Sequence, residues 1–198
     1  VGLERGRSEP QRLEPVAAVR DGALELVAEK AGWGSTPPAG RHRGISVHEA
    51  FGSIIGLVVE LSIATNGTPR VHRVWCSVDC GWTINPDTIV AQMEGGIVYG
   101  LTAALMGEIT IDKGRVEQRN FNDYQAMRLR DMPEIQVHIV PSTETPGGIG
   151  EPSTAARRRA MFTTACSLRK RSPRGVEDAV AFRQLDIGEM LLVLAGEQ

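Results

Sequence analysis

The hydrophobic and polar positions of the chain fall into segments of two distinct periods. Residues 17–30 space Val19, Ala23, Leu26 and Val27 at helical intervals, with Glu25 and Glu29 outward and Gly32 as a stop, which predicts an amphipathic helix. Residues 34–40 have the Gly, Ser, Thr and Pro composition of a linker. Residues 41–49 and 57–65 read as strands, the second almost continuous in β-branched and apolar side chains. Asn66 and Gly67 then predict a hairpin in which both turn positions take positive φ. Residues 69–80 form the returning strand. It places Val71, Arg73, Trp75, Ser77 and Asp79 on one face, and His72, Val74, Cys76, Val78 and Cys80 on the other.

The longest period belongs to a second helix. Asn85 reads as its cap and Pro86 as its first residue, and Ile89, Met93, Ile97, Leu101 and Leu105 then recur every four residues through Met106. Gly95, Gly96 and Gly100 sit inside this helix at about 1 kcal/mol each against Ala. That cost implies close approach of another backbone or of a large ligand, near Gln92 and Glu94. Residues 108–111 and 115–118 predict a hairpin around Asp112, Lys113 and Gly114. The polar and aromatic cluster at 120–124 has no period. Residues 134–140 alternate Ile135, Val137 and Ile139 inward with Gln136 and His138 outward, then feed a glycine-rich turn at 146–154. There Gly147, Gly148 and Gly150 free the backbone, and Pro152 fixes the chain directly after Glu151. A carboxylate held in this way suits general-base chemistry.

Composition narrows the function classes. With 41% hydrophobic and 23% charged residues the chain is ordinary globular material. A net charge of −2 gives no global attraction to nucleic acid or anionic membrane. No apolar run reaches the roughly 18 residues of a transmembrane segment. Three cysteines make no disulfide framework, and Cys76 and Cys80 lie about 13 Å apart along one strand, which suits buried thiols. The four histidines, His42, His48, His72 and His138, lack ligand spacing, so no protein-ligated metal is expected. Gly148 and Gly150 do not complete a dinucleotide fingerprint, because its third glycine would fall on Ser153 and six residues separate the turn from the strand at 134–140. Turn and cap roles account for Asp79 and Asp87. The first residues have neither Met nor an apolar signal core and read as the interior of a longer chain.

Several motifs, in order, resemble the molybdenum-binding large subunit of the xanthine dehydrogenase and aldehyde oxidase family, in its isoquinoline 1-oxidoreductase β-subunit type. They are Gly32-Trp33-Gly34, the run from Gly44 to Ser53 with His48-Glu49-Ala50-Phe51-Gly52, Val78-Asp79-Cys80-Gly81, Asn85-Pro86-Asp87, Gln92-Met93-Glu94-Gly95-Gly96, Asn122-Asp123-Tyr124 and Gly147-Gly148-Ile149-Gly150-Glu151-Pro152. The resemblance runs over residues 23–155 and covers the C-terminal part of that subunit. It implies an α+β fold, with mixed and antiparallel sheets packed with helices. It also implies a molybdenum hydroxylase that oxidises an aldehyde or N-heterocycle with water as oxygen source.

On that resemblance Glu151 takes the place of the family's base. Gln92, with Gly95 and Gly96, takes the place of the helix that meets the pterin, and Gly148 and Gly150 that of the turn at the metal. The cofactor implied is molybdopterin with molybdenum, in the cytosine dinucleotide form. The partners implied are an iron-sulfur small subunit and the missing N-terminal part of the large subunit.

The chain divides into an arm, helix and linker at 1–40, a cofactor-binding segment at 41–155 and an atypical tail at 156–198. The tail opens with seven basic residues and no acid in 156–174, followed by five acids and one Arg in 175–198. The resemblance implies an apolar, alanine-rich helix there, so a reading-frame change or a gene-end error near 156 is expected. Localisation is left open between periplasm and cytoplasm. The competing reading is a non-catalytic remnant or interaction module that keeps the fold without the cofactor.

Overall fold

The computed structural model describes residues 13–154. Residues 1–12 of the arm and the tail, with the frame change or gene-end error expected there, lie outside the described residues.

A four-stranded sheet forms the centre. β1 (His42–Ala50) and β2 (Ser53–Ile63) pair antiparallel, as do β2 and β3 (Pro69–Asp79). A late strand, β6 (Glu134–Ile139), joins β3 in parallel and gives the order β1-β2-β3-β6. The sheet is therefore mixed, within the α+β class expected. Its two faces are covered by two helices, α1 (Leu13–Ala31) and α2 (Pro86–Leu105). A separate two-stranded hairpin, β4 (Ile111–Asp112) with β5 (Arg115–Val116), follows α2.

The period-2 pattern of β2 sorts its side chains between two cores. Ile55, Leu57, Val59 and Leu61 pack with Val74, Cys76 and Val78 against Ile89, Met93, Ile97 and Leu101 of α2. Val58 faces the other way, with Trp75 and Ile45, onto Val27 and Ala31 of α1. A strand covered on both faces is buried at every position, and Ser53 to Leu61 are.

Three expectations change. β2 starts at Ser53 rather than residue 57, because Gly56 lies inside it and lets α1 approach. A side chain there would meet the Ser77 hydroxyl at 2.5 Å and the Ala23 carbonyl at 2.8 Å. In the loop between β2 and β3 only Gly67 has positive φ, since five residues span the gap and Asn66 instead accepts from the Thr68 amide through Oδ1. On β3, a bulge sets Leu61 against Val71 and leaves His72 out of the pairing, so Val71 joins the core of Val74 instead of the face of Trp75.

The second helix behaves as its sequence dictates. Asn85 accepts from the Thr88 amide at 3.2 Å, Pro86 opens the helix, and Met106 closes it. The four-residue stripe from Ile89 to Leu101 is buried.

Candidate functional site

The glycine-rich turn is fastened to the sheet before it reaches Glu151. β1 and β2 are joined by a two-residue turn, Phe51 and Gly52, with φ of 56° and 74°. Positive φ on a bulky aromatic is uncommon and needs outside support. The turn supplies it: the Gly148 amide donates to the Phe51 carbonyl at 2.8 Å, and the buried Ser53 hydroxyl donates to the Gly148 carbonyl at 2.9 Å. One residue earlier the Gly147 amide donates to the Cys80 carbonyl at 2.9 Å. Side chains at 147 and 148 would strike this hairpin, at 2.5 Å from the Gly52 carbonyl and 2.9 Å from the Phe51 Cβ.

Beyond Glu151 the chain is fastened again, to α2. Ser153 is fully buried, and its hydroxyl donates to the Met93 carbonyl at 3.2 Å. Thr154 donates through Oγ1 to the Gly96 carbonyl at 3.4 Å, and the Thr154 amide donates to the Glu151 carbonyl at 2.9 Å. A Cβ at Gly96 would run into the Ser153 hydroxyl. Glu151 thus stands exposed on a short turn tied at both ends.

The five other predicted site residues divide by their surroundings. Gly96 and Gly148 owe their missing side chains to this chain's own Ser153 and Phe51. Gly95 and Gly150 have nothing within 4 Å of a built Cβ, and Gln92 is exposed on the same stretch of α2. The fastening of Ser153 to Met93 brings the Glu151 turn to that stretch. Open space at two bare backbone positions, one on the turn and one on the helix it is tied to, with an exposed carboxamide on that helix, fits a large organic group that is met through backbone and amide.

The rest of the chemistry is quiet. Among the described residues no three His, Cys, Asp or Glu side chains gather to hold a metal ion. Cys80 is buried, which, together with the Asp79 charge, pushes its thiol pKa up and keeps it protonated. Asp79 accepts from the Gly81 amide at 3.0 Å, a turn role. No described helix is long and apolar enough to cross a membrane. Sequence reasoning missed Ser53 and Ser153, which hold the turn; two hydroxyls beside Pro152 were the only local sign of the second.

A family profile described as a molybdopterin cofactor-binding domain matches residues 23–133. The chain belongs to this family. The matched stretch of the molybdopterin-binding domain contains Gln92, Gly95 and Gly96 and ends before the glycine-rich turn. The domain is 35% identical over 132 residues to the isoquinoline 1-oxidoreductase subunit beta of Brevundimonas diminuta, covering 65% of this chain and 17% of that protein. It is 30% identical over 164 residues to a membrane-bound aldehyde dehydrogenase of Gluconacetobacter polyoxogenes whose name gives pyrroloquinoline quinone, covering 76% of this chain and 20% of that one. The chain therefore spans no more than a fifth of the length of these relatives. In fold it is similar to the quinoline 2-oxidoreductase of Pseudomonas putida 86, with a TM-score of 0.54 at 23% identity, over 60% of this chain and 16% of that one.

Proposed function

We propose that this chain forms part of a molybdenum hydroxylase that oxidises an aldehyde or N-heterocycle with water as oxygen source. The observation that carries the reading is the exposed Glu151 carboxylate on a turn tied at both ends, next to the bare Gly150 and fastened to the helix that carries Gln92 and the bare Gly95. Family membership and relatives that include an isoquinoline oxidoreductase support the same class.

Molybdopterin with molybdenum, in the cytosine dinucleotide form, supplies the two-electron oxidising centre when bound. Gln92 offers its carboxamide to that group as donor and acceptor, while Gly95 and Gly150 let it come close to the backbone. Glu151 acts as base, taking onto a carboxylate oxygen the proton of the water whose oxygen enters the product. The two anchors restrict where that oxygen can stand, which keeps it near the reacting atom instead of sweeping through solvent. The two electrons leave through an iron-sulfur small subunit. That one relative is a β-subunit supports a partner chain.

The test is metal, pterin and quinone analysis of the protein purified from its native host with the chains that accompany it, followed by Glu151→Gln. Molybdenum and a pterin dinucleotide near one per chain are expected, with a turnover loss of roughly 10²- to 10⁴-fold in the variant and unchanged cofactor content. Full turnover in Glu151→Gln would sink the base. Quinone in place of pterin would overturn the cofactor, and a chain free of both would leave the fold as a non-catalytic module.

A further inference from the structure

Ser153 is the one polar side chain of the glycine-rich turn that is wholly buried, and nothing in the proposed chemistry uses it. Its hydroxyl enters the notch left by Gly96 and donates to the Met93 carbonyl, a helical acceptor in the interior of α2. A buried hydroxyl without an acceptor is costly, so Ser153 has a strong preference for this seat. Two residues earlier stands Glu151. On the upstream side the matching device is Ser53, whose hydroxyl donates to the Gly148 carbonyl three residues before Glu151.

We infer that Ser153, seated in the Gly96 notch of α2, is a positioning residue for the Glu151 carboxylate. This rests on the reading of Glu151 as the base. Gly96 is then bare for the sake of Ser153, and the ligand approach is left to Gly95 and Gly150. The bond to Met93 transmits the position of α2 to the turn: a shift of the second turn of α2 moves Glu151 with it. Because Gln92 lies beside Met93 on the same helix, the seat also fixes the base relative to the side chain offered to the cofactor. Thr154, bonded at 3.4 Å to the Gly96 carbonyl, is the weaker of the two downstream ties.

The inference predicts coupling between two positions that are 57 residues apart in sequence. Ser153→Ala removes the hydroxyl and its bond. Gly96→Ala keeps the hydroxyl but evicts it. In the double variant Gly96→Ala/Ser153→Ala the clash with the Ser153 hydroxyl is gone, and the new methyl meets the Thr154 hydroxyl at 3.2 Å, which a small shift of that side chain relieves, and the Cβ of residue 153 at 3.5 Å.

Amide hydrogen exchange over residues 149–154, read in the full chain with its accompanying chains, tests the seat without relying on turnover. Each single variant should speed exchange there about 3- to 10-fold, the worth of one hydrogen bond, with β2 and β3 unchanged as the sign of an intact fold. The double variant should be no faster than Gly96→Ala alone, because the methyl already evicts the hydroxyl that Ser153→Ala removes. In the loaded enzyme Ser153→Ala should lower kcat on the order of 10- to 100-fold with KM little changed, because a loosened base is less often in reach of its proton, and Ser153→Thr, which keeps a hydroxyl, should recover part of the loss.

Unchanged exchange at 149–154 in both single variants, or effects that multiply in the double, would overturn the seat. If Glu151→Gln abolishes turnover while Ser153→Ala leaves kcat as it was, the positioning role fails and the base stands. If Glu151→Gln is fully active while exchange responds as expected, the base fails and the seat stands as a structural device only.

Discussion

Glu60 lies on β2 with its side chain 1% exposed, and two arginines of the β1 side meet it. Arg41 donates to Oε1 at 2.7 Å, and Arg43 donates through Nε to Oε2 at 2.9 Å. Arg43 also donates to the Ala31 carbonyl at the end of α1 and lies over the Trp75 ring, 5.3 Å from its centroid. One carboxylate therefore joins the edge strand, the central strand and the C-terminus of α1. Glu60→Gln preserves shape and leaves two guanidinium groups facing a neutral amide. Breaking a buried ion pair by removing one charge costs about 3–5 kcal/mol. Arg41 is 34% exposed, so water screens its share, and the amide oxygen still accepts one bond. The expected loss is about 2 kcal/mol, which at a slope of roughly 2 kcal/mol per molar lowers the urea midpoint by about 1 M.

The pH dependence fixes the sign. Burial pushes the Glu60 carboxyl up, but the hydrogen bonds and charges of Arg41 and Arg43 outweigh it and hold the group below its ordinary value of 4.5. The unfolded chain therefore takes up the proton first as pH falls. The stabilisation from Glu60 is complete above 4.5 and is lost as pH drops through the lower folded-state value. Urea titrations followed by tryptophan fluorescence, with Trp33 and Trp82 replaced by Phe in both chains so that Trp75 under the Arg43 guanidinium reports, should show the gap between the parent chain and Glu60→Gln at neutral pH and its narrowing in acid. Equal midpoints at pH 7, or a gap that does not narrow in acid, would refute the argument.

Other substitutions probe the same frame. Gly56→Ala places a methyl against the Ser77 hydroxyl, the Ala23 carbonyl and the Val27 side chain, so it should destabilise by about 2 kcal/mol and speed amide exchange in α1 before α2. Asn85→Ala removes the cap of α2 and should cost about 1 kcal/mol, seen as a lower thermal midpoint of roughly 3 °C. His138 has an Nε2 that is buried without a hydrogen-bond partner among the described residues, and burial, with Lys30 nearby and only Glu29 opposing, lowers its proton affinity. Folding is therefore penalised as pH falls below the ordinary histidine value of 6.5, and His138→Leu should flatten the stability profile between about pH 5 and 7.

The legible parts of the fold are those in which one element states its own face. The stripe from Ile89 to Leu101 and the cap at Asn85 depend on local spacing alone, and both are present. The misjudged parts depend on what a partner does. The strand reaches back through Gly56 because α1 presses there, and Val71 changes face because β2 leaves His72 without a place in the ladder. His138, placed outward by alternation, is half-buried because α1 covers that side of the sheet. A period-2 pattern gives two faces without saying whether one of them is wet.

The glycines of the site make the same point more sharply. A costly glycine in a helix states that something comes close, and the sequence places that demand at Gly95 and Gly96 without naming what approaches. Gly96 meets the hydroxyl of Ser153, and Gly95 meets open space. The same split runs through the turn, where Gly148 admits Phe51 and Gly150 is open. Two adjacent glycines thus have different surroundings, one admitting the Ser153 hydroxyl and one facing open space. A site built from backbone is specified by pairs far apart in sequence, such as 53 with 148 and 96 with 153, and only the folded chain brings the members of each pair together.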